Sequence, residues 1–418
     1  MSKATPGSQY EVIKDDWLST IAAEAYGDLR QWPLIADANP QINGRGVAVD
    51  GSSLIFPGDI LWIPLEEKSE EDDFMSFGKQ QEDTFSLEIE GILVPVSEAT
   101  LLLTMDTGSD NFTAVLDVDF ITEKLREHLL PYRYPKCTVR INGVLKLTGS
   151  VYIIEPVAND KKRYKKITGY SNTVDVIDSS VNPPYEFNAI TLINHAKRMV
   201  KDIGISAVFY SGAKEFFDKV TTRTGEKRFS HLVSLAKQRG LLISCTPYGN
   251  LLFHRSNDSL VPVETIEEGE VGATSYKAKY DGRKRFKSYR IVGKTFTGEV
   301  VTKTITDPFV SKPRYFARNE SNVEEGNITV AATWERSKAI ADALTMEVPY
   351  PSWTTKNGDI WATNTYINLK SKTLDLRDGA ILLIRRVLFS FTEKSNTCVL
   401  NVVPREVFTN EKLPDIWS

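Results

Sequence analysis

The sequence predicts an α+β, mainly β protein: a small β-α-α-β module at the front, then two β-barrel domains with short helical and α/β inserts. Three observations carry this. Within the first 66 residues an apolar stripe at helical spacing lies between two short β-like runs. From about Phe85 the chain becomes rich in β-branched and aromatic residues arranged in short runs. Between two of those runs stands Asn142-Gly143, the strongest short-range hairpin signal in the chain.

At the front, "QYEVI" reads as a strand. The next segment, "DDWLSTIAAEAYGD", sets Leu18, Ile21, Ala22 and Ala25 on one face, with Asp15 or Asp16 as N-cap and Gly27 as the stop. A second short helix is expected in "LRQWPLIADANPQ". Its inward face takes Trp32, Ile35 and Ala38, Pro33 sits in the first turn, and Asn39-Pro40 ends it. "GDILWIP" closes the module, with Ile60 and Trp62 alternating beside Leu61 and Ile63.

After Pro64 the composition shifts abruptly. Seven acids between Glu67 and Asp83 face only Lys68 and Lys79, a balance that predicts a flexible tether. Strand-like runs follow: "FSLEIEGILV", "ATLLLTM", "FTAVLDVDF" and "TVRINGVLKLTGSVYII". "AITLINHAKRMVKDIGI" places Ile190, Ile193, Ala196, Met199 and Val200 on one helical side up to Gly204. "FSHLVSLAKQRG" predicts another helix, followed by a hairpin turning at Tyr248-Gly249. Strands resume near Val261, with a turn expected at Asp378-Gly379 and one helix in "ATWERSKAIADAL". The expected division is a module over 1–66, an acidic linker over 67–84, a first β-barrel domain over 85–180, an α/β insert over 181–260, and a second β-barrel domain over 261–418 with its helix near 332–345.

A chain of 418 residues has room for two to four domains, each with its own core. No apolar run approaches the ~20 residues that span a bilayer, so no membrane span is expected, and the polar start carries no secretory signal. Cys137, Cys245 and Cys398 lack paired spacing and read as buried thiols, without a disulfide framework or zinc site. The net charge of −4 is uneven: residues 1–66 hold four Lys/Arg against nine Asp/Glu, which is −5 and leaves about +1 for the rest. An acidic front matches polyanions poorly.

Tyr10-Glu11-Val12-Ile13, Asp16, Leu18, Ile21-Ala22, Tyr26-Gly27, Asn39 and "PGDILWIP" up to Pro64 resemble a LysM domain over nearly its whole length. The resemblance implies binding of peptidoglycan or chitin through two loops. On this chain the loop residues are Asp15, Asp16, Trp17, Leu18, Asn39, Pro40, Pro57 and Gly58. Two departures matter: Asp15-Asp16-Trp17 replaces the usual Gly-Asp-Thr/Ser, and the second loop is long. With "QWPLIADANP", they make the module similar to the LysM-type modules of phage tail proteins, which implies packing against other tail subunits, with Trp32 and Leu34 divided between core and partner.

The body resembles the hub of contractile phage tail baseplates, the Mu-type hub also related to late control protein D. Four stretches carry the likeness in order: "VRINGVLKLTGSVYII" with "KKITGYSNTVDVIDSSV"; "FNAITLINHAKRMVKDIGI"; "EKRFSHLVSLAKQRGLLISCTPYGNLLFHR"; and the C-terminal "WATNTYINLKSKTLDLRDGAILLIRRVLFSFTEKSNTCVLNVVPREVF". The segment from Asp281 to Asn327 matches weakly. The resemblance implies a virion protein assembled in the host cytoplasm, a homotrimer whose tail-tube-like barrels join the tube to a central spike. Tube, spike, wedge and tape-measure proteins are its implied partners.

Chemistry is sparse. Four histidines leave little for acid-base or metal work, and no cofactor is expected. Cys245 and His254 would be diagonal neighbours if residue 245 faced 252 across the hairpin, but an apolar face raises a thiol's pKa and opposes activation. His195 reads as a surface or packing residue. No Gly-rich phosphate loop occurs. Two basic clusters remain, Lys161, Lys162, Arg163, Lys165, Lys166 and Arg283, Lys284, Arg285, Lys287. Each reads as a solvated face or as a channel or partner patch, not as sequence-specific nucleic-acid recognition. The expectation is a structural protein and not an enzyme. Its rivals are a peptidoglycan-binding component that anchors the particle to the wall, and a wall-degrading enzyme.

Overall fold

The computed structural model describes residues 4–5, 8–14, 16–26, 32–39, 42, 54–64, 83–158, 162–209, 215–257, 261–269, 276–295, 297–320, 327–392, 395–405 and 407–408. The chain divides into two compact units, Met1–Gln81 and Glu82–Ser418. Most of the acidic stretch expected as a tether, Gly27, Lys161 and the side chain of Leu34 lie outside the described residues.

In the first unit β1 (Ser8–Glu11), α1 (Leu18–Tyr26), α2 (Trp32–Asp37) and β2 (Ile60–Ile63) follow in that order. β1 and β2 pair antiparallel, Tyr10 opposite Leu61. Leu18, Ile21, Ala22, Ile35, Leu61 and Ile63 form the core, with Trp32 packed partly buried against it. Of the two expected caps of α1, Asp15 lies outside the described residues and Asp16 is engaged elsewhere. Its carboxylate turns back to accept from the Ile13 N–H and the Tyr10 hydroxyl, both at 2.9 Å. Ahead of the helix, the Trp17 N–H donates instead to Thr20 Oγ1 at 3.0 Å.

The second unit opens with β3 (Phe85–Ile89), β4 (Ile92–Val94), β5 (Glu98–Thr104), β6 (Asn111–Asp117), α3 (Glu123–His128), β7 (Lys136–Ile141), β8 (Val144–Ala158) and β9 (Arg163–Ser171). Then come α4 (Val174–Asp178), β10 (Glu186–Thr191), α5 (Leu192–Val200), β11 (Ala207–Phe209), β12 (Phe216–Thr221), α6 (Arg228–Lys237), β13 (Leu242–Cys245) and β14 (Leu251–His254). The remainder is β15 (Glu264–Glu267), β16 (Lys277–Tyr280), β17 (Ser288–Lys294), β18 (Val300–Thr306), β19 (Tyr315–Glu320), α7 (Ile328–Ala343), β20 (Leu344–Tyr350), β21 (Tyr366–Ser371), β22 (Leu376–Thr392) and β23 (Asn396–Pro404).

Among the described residues the β-rich parts merge into one 13-stranded sheet, ordered β16-β20-β23-β22-β5-β6-β9-β8-β7-β3-β4, with β15 and β21 branching from β22. The halves meet where β22 pairs with β5, Val387 opposite Leu103. Among the described residues no recorded pairing closes either half on itself, so the strands run as a continuous sheet through both. One core follows that sheet, including Leu101, Phe112, Val139, Ile167, Trp353, Trp361, Phe389 and Leu400. A separate core fills the α4–β14 region, around Phe217, Leu232, Leu235 and Phe253.

Asn142 and Gly143 turn β7 into β8 with φ of 50° and 77°, as the Asn-Gly pair requires. The turn expected at Asp378-Gly379 lies elsewhere. Chain reversal occurs before Leu376, which pairs with Ser371, and Gly379 at φ 89° sits within β22 beside a register shift in the β21–β22 ladder. A Cβ there would stand 2.7 Å from Asn368 Oδ1, so glycine permits the irregularity and does not mark the end of a strand. Ile190 belongs to β10, and α5 begins only at Leu192, capped by Thr191.

Candidate interaction surfaces

The residues of the front module divide by burial. Leu18 is core. Asn39 is also sealed inward: its amide donates to Ile35 and Trp62 carbonyls at 2.7 Å, and its Oδ1 accepts from the Trp62 N–H at 2.8 Å. Asp15 and Pro40 lie outside the described residues. Pro57 and Gly58 form an exposed turn closed by Gly58 N–H on the Val12 carbonyl, 2.8 Å, with Gly58 at φ 93°. Trp17 is 36% exposed at the entrance to α1.

Sheet alternation places Ile60 and Trp62 on the outer face of the β1–β2 pair, opposite Glu11 and Gln9. They are 59% and 43% exposed. Ile13 and Phe56 are exposed beside the ends of the same strands. Sequence reading placed Ile60 and Trp62 in a closing strand without seeing that this alternation leaves a small apolar surface outside the core.

The basic clusters are only partly free. In β9 Arg163 and Lys165 share one face, whereas Lys166 projects to the other, opposite Glu155. Burial, aided by Arg126, lowers the Lys165 pKa. Lys162 is exposed. In the second cluster Arg283 pairs with Asp281 at 2.8 Å, and Lys284 donates to the Asp342 carbonyl at 3.0 Å. Arg285 pairs with the buried Asp307 at 2.7 Å. Lys287 stays exposed.

The hairpin register differs by one residue from the sequence expectation. Cys245 faces Leu251, and His254 faces Leu242, which puts the thiol and the imidazole on opposite sides. His254 contacts the Met105 and Arg255 carbonyls. The Cys245 thiol meets Asp110 and Ser171, where burial first, and the Asp110 charge second, push its pKa well up. Burial also raises Asp110, to about 7. His195 is a packing residue, its Nε2 2.9 Å from His231 Nε2. Burial, with His231 and Arg198 nearby, holds it down to about 3. Among the described residues no group of three or more His, Cys, Asp or Glu is placed to hold a metal.

Among the described residues the main strand path ends in β4 and β16, and the side branch ends in β15. Leu93 on β4 is 70% exposed.

Residues 173–255, the α4–β14 region, match the family model described as baseplate hub protein gp44-like, second domain. The chain is also 21% identical over 291 residues to baseplate hub protein gp44 of Escherichia phage Mu, covering 65% of this chain and 76% of the relative. These matches support a Mu-type baseplate hub. Two solved structures of tail proteins share the fold. A 43 kDa tail protein of prophage MuSo2 from Shewanella oneidensis has TM-score 0.66 and 22% identity, over 79% of this chain and 99% of that one. A tail protein from Neisseria meningitidis MC58 has TM-score 0.67 and 15% identity over the same shares.

Proposed function

We propose that this hub chain works as a structural homotrimer without enzymatic activity, each copy giving two β-rich halves to a ring that joins the tail tube to a central spike. The observation that carries this reading is a single sheet whose main strand path, among the described residues, ends in two dissimilar edges, β4 and β16. Edges that differ favour head-to-tail contact between copies, which closes into a ring when the rotation permits. β16 presents Lys277 and Lys279, which would face like charges if β16 met its own copy, whereas Ile92-Leu93-Val94 of β4 is uncharged.

The front module docks on a neighbouring baseplate protein, such as a wedge or tape-measure component. Support comes from its exposed Ile60 and Trp62 and from Asn39 being committed to holding β2. Light scattering of the purified chain tests the ring. A mass three times 47.0 kDa, reduced by Leu93→Lys, is the expected result. A stable monomer with an intact fold would overturn it.

A further inference from the structure

In the α4–β14 region a groove of about 660 Å³ runs along β10, with all of Glu186–Ile190 forming one wall and Asn194, Lys197 and Arg198 the other. A second concavity of about 490 Å³ adjoins it, shares Pro184, Phe187 and Arg198, and continues past Lys201.

Charge in this groove is one-sided. Glu186 is engaged by Lys219 at 3.1 Å, and Asp202 is held by Arg228 through two contacts of 2.5 and 2.7 Å. Lys197, Arg198 and Lys201 are exposed and have no carboxylate partner among the described residues. The Arg198 guanidinium lies 5.4 Å from the centre of the Phe187 ring, which spreads it along the groove floor. The patch is therefore cationic on a chain whose net charge is −4.

The wall itself favours an extended occupant. β10 pairs only with β12, leaving its other edge without a strand among the described residues. Ala189 stands at φ 46°, and the regular β10–β12 ladder skips it. A non-glycine residue in the left-handed region is costly, and such strain concentrates where backbone meets ligands. An edge lined by consecutive residues offers main-chain hydrogen bonds to an added strand, and flanking cations select for acidic side chains.

We infer that this groove receives an extended acidic peptide segment of a partner protein, laid along β10 with its carboxylates on Lys197, Arg198 and Lys201. The site does not depend on ring closure.

The probe is a fluorescein-labelled peptide of alternating glutamate and threonine, titrated by anisotropy into the full chain at low salt. A lysine-threonine peptide and a duplex DNA oligonucleotide serve as comparisons. The expected result is saturable binding of the glutamate peptide alone. Lys197→Glu and Arg198→Glu, each checked for an unchanged circular dichroism spectrum, should weaken it by about tenfold. Equal binding by the lysine peptide, DNA binding that depends on the same residues, or indifference to both substitutions would overturn the inference. So would binding to a Leu93→Lys monomer but not to the assembled form, because the groove would then lie beneath a neighbouring copy.

Discussion

Arg385 and Asp106 lie 279 residues apart in the chain and 2.6 Å apart in the fold, both buried where β22 runs beside the end of β5. Arg385 also reaches Asp342 at the end of α7, 2.7 Å away. Burial alone would lower the guanidinium's pKa, but the two carboxylates outweigh it and raise it further. One cation thus ties three separate stretches at the seam of the sheet.

Arg385→Met is expected to cost about 3–5 kcal/mol, because it strands the Asp106 carboxylate without its cation, whereas Asp342 keeps Lys338 at 2.8 Å. Asp106→Asn combined with Arg385→Met should cost less than the single change. Urea unfolding followed through the buried Trp353 and Trp361 measures both. An additive pair of effects would contradict the coupling.

Asn39→Ala should cost about 1–3 kcal/mol in the first unit, since it leaves the Trp62 N–H and carbonyl without their partner. Hydrogen exchange on the full chain should show faster exchange at β1 and β2 with no change in the second unit. Unaltered exchange at Trp62 would remove Asn39 from its clamping role.

Acidity should weaken the second unit below about pH 6.5. His195, held down to about 3, favours the fold in its neutral form, so its contribution is full above the unfolded value and fades as pH falls. His254 is lowered by burial and acts with the same sign. Asp110, raised to about 7, works in opposition: its contribution is full below about pH 4 and fades as pH rises. Asp110→Asn should therefore steepen the loss of stability between pH 6.5 and 4.5. Equal slopes for both proteins would deny the opposition.

Gly149→Ala should destabilise by about 1–3 kcal/mol or more, because a Cβ at that point would stand 1.8 Å from the Tyr170 carbonyl oxygen. The comparison is Gly143→Ala at the exposed turn, where no atom lies within 4 Å and only the positive φ is strained. A smaller loss at Gly149 would mean β8 and β9 separate easily.

Full-length chain mixed with purified sacculi should stay in the supernatant if the front module docks on protein. Retention abolished by Trp17→Ala would favour the glycan reading instead.

Patterns local in sequence transferred well to the structure. The stripe of Leu18, Ile21 and Ala22 forms the helix face it suggested, and Asn142-Gly143 turns where its φ preference demands. What failed depended on distant neighbours. The Cys245–His254 register shifted by one because the loop length was assigned one residue off, and a period of two turns such a slip into a change of face. Gly379 looked like a turn because a strand that bends and a strand that ends call for the same residue. Sequence grouped Arg283, Lys284 and Arg285 as a basic patch, but Asp307 and Asp342, which hold two of them, arrive from other strands and helices. The groove along β10 had no sequence signal beyond the two cations, Lys197 and Arg198, on one turn of α5.

Along one edge the 17 residues of β22 pair first with β21 of the C-terminal half and then with β5 of the N-terminal half, and along the other edge they pair with β23. A pull on either half therefore loads a row of hydrogen bonds in shear, many at once, and does not fall on a single covalent connection. In a tail baseplate under load, such a splice would let the two halves move as one piece.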